Sequence, residues 1–244
     1  GTSDSDHWQF ESGFPPSYSA YGRYRFLTTL RHARALQPKS VLEVAASGGF
    51  TSACLYEPGR RMLLNDIRDL RDELPQWTTG EHLTYVPGNF FELDPGQFEP
   101  FDLVMACEVI EHVAHGDRFV AHLKKFLSPG GTLLLTTPNG GFFRSRLPTH
   151  STIEDFDALE KDQFKPDADG HLFFYTRAEL EGLLREQGFS SVKTECFATP
   201  WMSGHAGLRH LPQGRAFFRP YWLLDQAFQH RERWCAHLLT VAQV

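Results

Sequence analysis

The sequence contains no apolar run approaching the roughly eighteen residues that a membrane-crossing helix needs, so no transmembrane span is expected. It is poor in cysteine: Cys54, Cys107, Cys196 and Cys235 are the only four in 244 residues, widely spaced and without a Cys-x-x-Cys pair. That argues against a disulfide framework or a thiolate zinc site and makes a reducing cytoplasm the expected setting. Basic excess is missing too. The formal net charge is −6, so no global positive field draws nucleic acid to the chain. One stretch departs from this: Arg209, Arg215, Arg219, Arg231 and Arg233 face only Asp225 and Glu232, which fits either a solvated helical face or a contact with an anionic partner. Internal repeats and low-complexity tracts are absent. The polar start, Gly1 to Asp6, reads as a frayed end and not as a signal peptide.

A hydrophobic fraction of 41% is enough to build the core of one large domain. Residues 15–37 read as a helix with Tyr18, Tyr21 and Tyr24 on one face, closed by Pro38. Short apolar runs then alternate with helical segments. Strands are expected at 41–44, 62–66, 83–86, 101–106 and 132–136, with helices after the first strand, from about Glu108, and over about 116–127. Residues 141–170 are polar and weakly periodic, an excursion over the sheet edge. Thr176-Arg177-Ala178-Glu179 has the form of a capping box, and its helix runs to Gly188. Two strands, 191–197 and 235–241, flank an aromatic, mostly helical insert over 200–233. The expected fold is α/β: a Rossmann-like, doubly wound, seven-stranded and mostly parallel sheet. Residues 1–37 form a tail and helical cap, and residues 38–244 the main domain.

The loop after the first strand, Ala45-Ala46-Ser47-Gly48-Gly49-Phe50, is built of small residues that let backbone approach a ligand. Asp66 follows Gly49 by 17 residues, at the end of the second strand, where a carboxylate can accept from both ribose hydroxyls. Small-residue turns and strand-end aspartates are each common in proteins.

In combination, these segments resemble the class I S-adenosylmethionine-dependent methyltransferases along residues 38–197. Val41-Leu42-Glu43-Val44 through Gly49 resembles that family's first motif, and Asp66 its ribose-binding acid. Gly88-Asn89-Phe90 is similar to its adenine-contacting segment, and Phe101-Asp102-Leu103-Val104 through Glu111-His112-Val113 to its fourth-strand motif. Leu127 to Leu133 is similar to its Leu-x-Pro-Gly-Gly turn, and His171 to Phe189 to a further stretch. The resemblance implies S-adenosylmethionine as cofactor, with Glu43, Ala45, Ser47, Gly49, Asp66, Asn89, Phe90 and Cys107 in its site. The family usually has glycine at the positions of Ala45 and Ser47, so a left-handed backbone there would strain both by about 1 kcal/mol or more. This departure leaves a non-catalytic binding module as one reading of the chain. A dinucleotide is a poorer match, because it needs those glycines for its pyrophosphate, and S-adenosylmethionine carries no phosphate.

Glu108, Glu111 and His112 stand at i, i+3 and i+4, and would share one face if they occupied one helix. Two carboxylates and an imidazole can hold a hard divalent cation, with His171 as a fourth ligand. The set is similar to the Glu-x-x-Glu-His pattern of small-RNA 2′-O-methyltransferases and to the Glu-His pair of ubiquinone-pathway O-methyltransferases. The resemblance implies Mg²⁺ or Mn²⁺ and a role in ionising a hydroxyl. Three readings stay open: a metal site, His112 as metal-free general base beside Glu111, and plain structural roles. The expected acceptor is a small molecule bearing a diol, sugar or phenol, with RNA as the alternative. Tyr18, Tyr21 and Tyr24, and Trp201, Phe217, Phe218, Tyr221 and Trp222, fit either an acceptor pocket or ordinary packing.

Overall fold

Seven strands form a single sheet in the order β3-β2-β1-β4-β5-β7-β6 in the computed structural model, which describes residues 20–71, 82–164, 170–203, 215–229 and 231–244. The strands are β1 (Ser40–Val44), β2 (Arg61–Asp66), β3 (Leu83–Pro87), β4 (Phe101–Cys107), β5 (Leu127–Pro138), β6 (Ser191–Phe197) and β7 (His237–Gln243). The first five pair in parallel, and β7 runs antiparallel to both β5 and β6. The sheet is therefore doubly wound and mostly parallel, as the alternation of apolar runs and helical segments predicts.

Alternation along the strands divides the core between two faces. On one face Leu42, Val44, Leu63, Val104, Leu133 and Leu135 pack against α3 (Gly116–Lys124) and α4 (Arg177–Glu186) through Phe119, Leu123, Leu180 and Leu184. On the other, Val41, Met62, Leu64, Leu103, Met105 and Leu134 meet Leu30 and Ala33 of α1 (Ala20–Ala35) and Leu55 of α2 (Phe50–Leu55). Both faces are covered, which is why the central strands read as unbroken apolar runs.

Boundaries differ in physically readable ways. Leu127 to Gly131 joins β5, with an irregular register opposite Phe101 and Leu103 that absorbs Pro129. The capping box is formed: Thr176 Oγ1 accepts from the Glu179 amide at 3.3 Å, and Glu179 accepts from the Thr176 amide at 2.7 Å. The 141–170 excursion carries two short 3-10 turns, His150–Thr152 and Asp157–Asp162. The late insert holds α5 (Arg215–Phe228), and its residues 204–214 lie outside the described residues, as does Tyr18.

One expected helix is corrected. Glu108 to His112 is not α-helical; only a 3-10 turn, Ile110–His112, forms there. Glu108 adopts the left-handed φ of 58°, and its amide still donates to the Thr136 carbonyl at 2.8 Å, extending the β4–β5 ladder by one bond. A backbone held in that ladder cannot start a helix, so the i, i+3, i+4 spacing does not put the three side chains on one face.

Candidate active site

The C-terminal ends of β1, β2 and β4 lie at one edge of the sheet, where open α/β sheets bind ligands. Past β1 the chain turns sharply, with Ala45, Ser47 and Gly49 at φ 56°, 48° and 68°. Two of these three left-handed positions carry a Cβ. The turn is held by its amides: Ala46 donates to the Asn65 carbonyl at 2.9 Å and Gly49 to the Ala46 carbonyl at 2.8 Å. Ser47 donates to one oxygen of the Asp66 carboxylate at 2.8 Å, and the Arg68 amide donates to the other at 3.0 Å.

Asp66 is thereby fixed in the wall of a cavity of about 320 Å³ that Ala45, Asn65, Gly88, Asn89 and Phe90 also line. The buried Asn65 amide donates to the Val86 and Gly88 carbonyls, both at 3.0 Å, and sets the far wall. Gly88 has φ 121°, a backbone conformation that side chains rarely adopt. Asn89 accepts from the Phe91 amide at 3.1 Å, while the Phe90 ring packs on Phe126 with centroids 5.3 Å apart. A second cavity, of about 460 Å³, is lined by Arg25, Glu43, Ala45, Ser47, Cys107 and Thr136. Glu43 accepts from the amide and hydroxyl of Ser52; burial pushes its pKa up to about 6 against the hydrogen bonds from Ser52 and Thr51. Burial likewise pushes the Cys107 thiol far above its ordinary value.

A third and larger cavity, of about 920 Å³, opens beside them, with Tyr21, Phe142 and Phe174 among its apolar walls. Glu108 lines all three. A ligand with its ends in the first two cavities thus presents its middle at Glu108, facing the third.

Glu108 itself is occupied by protein. Its carboxylate accepts from Arg25 Nη1 at 2.5 Å, from Thr136 Oγ1 at 2.8 Å, and lies 2.9 Å from His237 Nε2. Burial alone would raise its pKa, but His237, Arg25 and Thr136 outweigh that and hold it at about 2. The expected four-residue cluster is therefore corrected to three. Among the described residues, Glu111, His112 and His171 bring one ligand atom each to within 4.8 Å of one another, and Glu108 is not among them.

Glu111 has a side-chain exposure of 0%. One of its oxygens accepts from Thr137 Oγ1 at 3.0 Å. The other has no hydrogen-bond partner; His171 Nε2 stands 3.9 Å from it, beyond hydrogen-bonding distance. Burial and the nearby Glu108 charge push the Glu111 pKa well up. A buried carboxylate with an orphaned oxygen facing two imidazoles is a donor set that a divalent cation completes. His112 Nδ1 lies 3.1 Å from the Gly170 carbonyl; a carbonyl only accepts, so Nδ1 carries a proton and Nε2 is the nitrogen left to face a ligand.

Sequence reasoning missed Arg25 and His237. His237 Nδ1 lies 2.8 Å from Tyr21 Oη, joining α1 to β7 beneath the third cavity. No local motif marks a histidine that opens a late strand, so the sequence carried no signal for it. The tyrosine face divides: Tyr21 lines the cavity, whereas Tyr24 is 3% exposed and donates to Asp225. Trp201 stacks on Trp234 at 6.2 Å, and Tyr221 and Trp222 pack against a third core cluster.

This geometry is that of a class I methyltransferase. The chain matches the family described as methyltransferase domain over residues 20–194, more than half its length, and belongs to that family. Its curated relatives include ubiquinone biosynthesis O-methyltransferases from Paramagnetospirillum magneticum, 31% identical over 43% of each chain, and from Rickettsia akari, 26% identical over 46% of this chain and 45% of the relative. The chain thus spans under half the length of these relatives. Among solved structures, the N-methyltransferase NodS from Bradyrhizobium japonicum, in complex with S-adenosyl-L-homocysteine, shares the fold at TM-score 0.57 and 14% identity, over 98% of this chain and 95% of its own. An S-adenosylmethionine-dependent methyltransferase from Mesorhizobium loti does so at TM-score 0.56 and 17% identity, over 88% and 96%. No described helix is long and apolar enough to cross a membrane.

Proposed function

We propose that the chain transfers the methyl group of S-adenosylmethionine to a hydroxyl of a small molecule, assisted by a divalent cation, Mg²⁺ or Mn²⁺. The carrying observation is the orphaned, fully buried Glu111 oxygen grouped with His112 and His171, two residues that line the acceptor cavity. The two smaller cavities fit the cofactor: Asp66 suits the ribose hydroxyls, Asn89 and Phe90 the adenine side, and Arg25 with the Ala45–Gly49 turn the amino-acid end. When bound there, the cofactor supplies an electrophilic methyl on sulfur. The residues of the chain then have three tasks: to align donor and acceptor, to exclude water and to remove one proton.

Glu111, His112 and His171 would hold the cation, which supplies Lewis acidity toward an acceptor hydroxyl. The acceptor proton leaves to solvent through the open cavity, while His237, with Nδ1 on the Ala236 carbonyl and Nε2 on Glu108, keeps that carboxylate in place. A second reading is favoured by the Gly170 contact: with Nδ1 engaged, His112 Nε2 serves as the base without metal. The names of the curated relatives support O-methylation, and the acidic chain favours a small acceptor over RNA. Four free cysteines suit a reducing, cytoplasmic setting.

Transfer of labelled methyl to catechol, measured with Mg²⁺ or Mn²⁺ and in excess EDTA, separates the two readings. The cation reading predicts at least a tenfold loss in EDTA and in Glu111→Ala, on the scale of lost metal-ligand contacts. Full activity in EDTA, abolished only by His112→Ala, would establish the metal-free base instead.

A further inference from the structure

The wall of the acceptor cavity away from Glu108 has a chemistry that methyl transfer does not need. Arg144 and Arg146 line this cavity on the 139–147 segment, whereas its other two lining arginines face carboxylates, Arg25 facing Glu108 and Arg68 facing Asp66. Two guanidiniums beyond those pairs, on a chain of net charge −6, give this wall a basic character. Arg144 and Arg146 line neither of the cofactor cavities, so the cofactor carboxylate does not account for them. Arg146 has no carboxylate partner among the described residues, unlike the exposed Arg118, Arg177 and Arg185, which pair with Glu160 or Glu181.

Between the two arginines, Ser145 lines the same cavity with a hydroxyl that is buried and has no hydrogen-bond partner. An unsatisfied buried hydroxyl, next in sequence to the cavity-lining Arg146, suits an acceptor-only group. The segment is also built to stay in place. The side chain of Asn139, 1% exposed, donates to the carbonyls of Glu232 at 2.8 Å and Cys235 at 2.7 Å, and accepts from the Gly141 amide at 2.8 Å. Phe142 is buried below, the Phe143 amide donates to the Arg233 carbonyl at 3.0 Å, and the Ser145 amide donates to the Phe142 carbonyl at 2.8 Å.

We infer that the methyl acceptor is a small anion, a hydroxylated compound bearing a carboxylate or phosphate that Arg144, Ser145 and Arg146 hold. Its apolar body lies along Phe142, Leu147 and Phe174, and its hydroxyl reaches His112 and His171. This rests on the methyltransferase reading, because it takes the third cavity as the acceptor site.

Calorimetric titration of the S-adenosylhomocysteine-loaded protein with two matched pairs tests it. The pairs are 3,4-dihydroxybenzoate against catechol, for a carboxylate, and glycerol 3-phosphate against glycerol, for a phosphate. At least one anion should bind about tenfold or more tightly than its neutral counterpart, the scale of one or two charge-assisted hydrogen bonds. That preference should fall about fivefold or more in an Arg144→Ala, Arg146→Ala double variant and be partly kept in the double lysine variant. It should also shrink with added salt. Equal binding within both pairs, an undiminished preference in the alanine variant, or tighter binding of a short single-stranded RNA than of either anion would overturn the inference. Failure of the wild type to bind S-adenosylhomocysteine would instead sink the methyltransferase reading.

Discussion

Ser47 sits at φ 48°, held by its amide bond to Asp66, at a position where glycine would be relaxed. Ser47→Gly relieves the Cβ clash but frees the unfolded chain, so the net gain is about 0.5–1 kcal/mol. Thermal unfolding should show a rise of about 1–3 °C; an unchanged or lower midpoint would mean that the serine is not strained. Glu43 makes a pH-dependent prediction. Its folded pKa of about 6 lies above the usual 4.5, so the unfolded chain ionises first as pH rises. The stability Glu43 contributes is complete below about pH 4.5 and mostly lost by about pH 6, a loss of about 2 kcal/mol for a fully buried group. Denaturant titrations at both pH values should show that loss in the wild type and not in Glu43→Gln. At this scale the sequence was partly legible. Small residues at 45, 47 and 49 announced the turn, and Asp66 at the end of β2 accepts from the Ser47 amide within it. The left-handed Glu108 was hidden, because it follows from a ladder bond to Thr136, 28 positions away.

The elements are joined by a few buried polar links. Tyr24 on α1 donates to Asp225 on α5, and the same carboxylate accepts from the Thr199 amide at 2.5 Å and the Ala198 amide at 3.4 Å. Asp225 is fully buried, and burial pushes its pKa up against the hydrogen bonds from Tyr24 and Thr199. Tyr24→Phe keeps the ring but removes a donor to a buried carboxylate, which costs about 1–3 kcal/mol. A denaturant midpoint unchanged by that substitution would show that α1 is not tied to α5 through this bond. Strand and helix periodicity made β1 to β5 and α4 readable, because each buries its apolar face locally and repeatedly. The 3-10 turn at Ile110–His112 was misread as a helix, since apolar spacing records which side chains are buried and not where a backbone amide finds its partner.

For the whole molecule, three cavities meet at one carboxylate, and the chain arranges itself around that junction. β1 and β2 supply walls of the two smaller cavities, α1 and β7 hold Glu108 through Arg25 and His237, and the 139–147 segment closes the far wall of the third. The order of motifs along the sequence revealed the first of these; the other two depend on contacts between residues more than 80 positions apart. The account stands on the nucleotide site, and calorimetric titration with S-adenosylhomocysteine tests that site most directly. Binding in the micromolar range or tighter is predicted, weakened about tenfold or more in Asp66→Ala, the loss expected for hydrogen bonds to a charged group. No detectable binding by the wild type would contradict the account and leave the non-catalytic module as the reading of the chain.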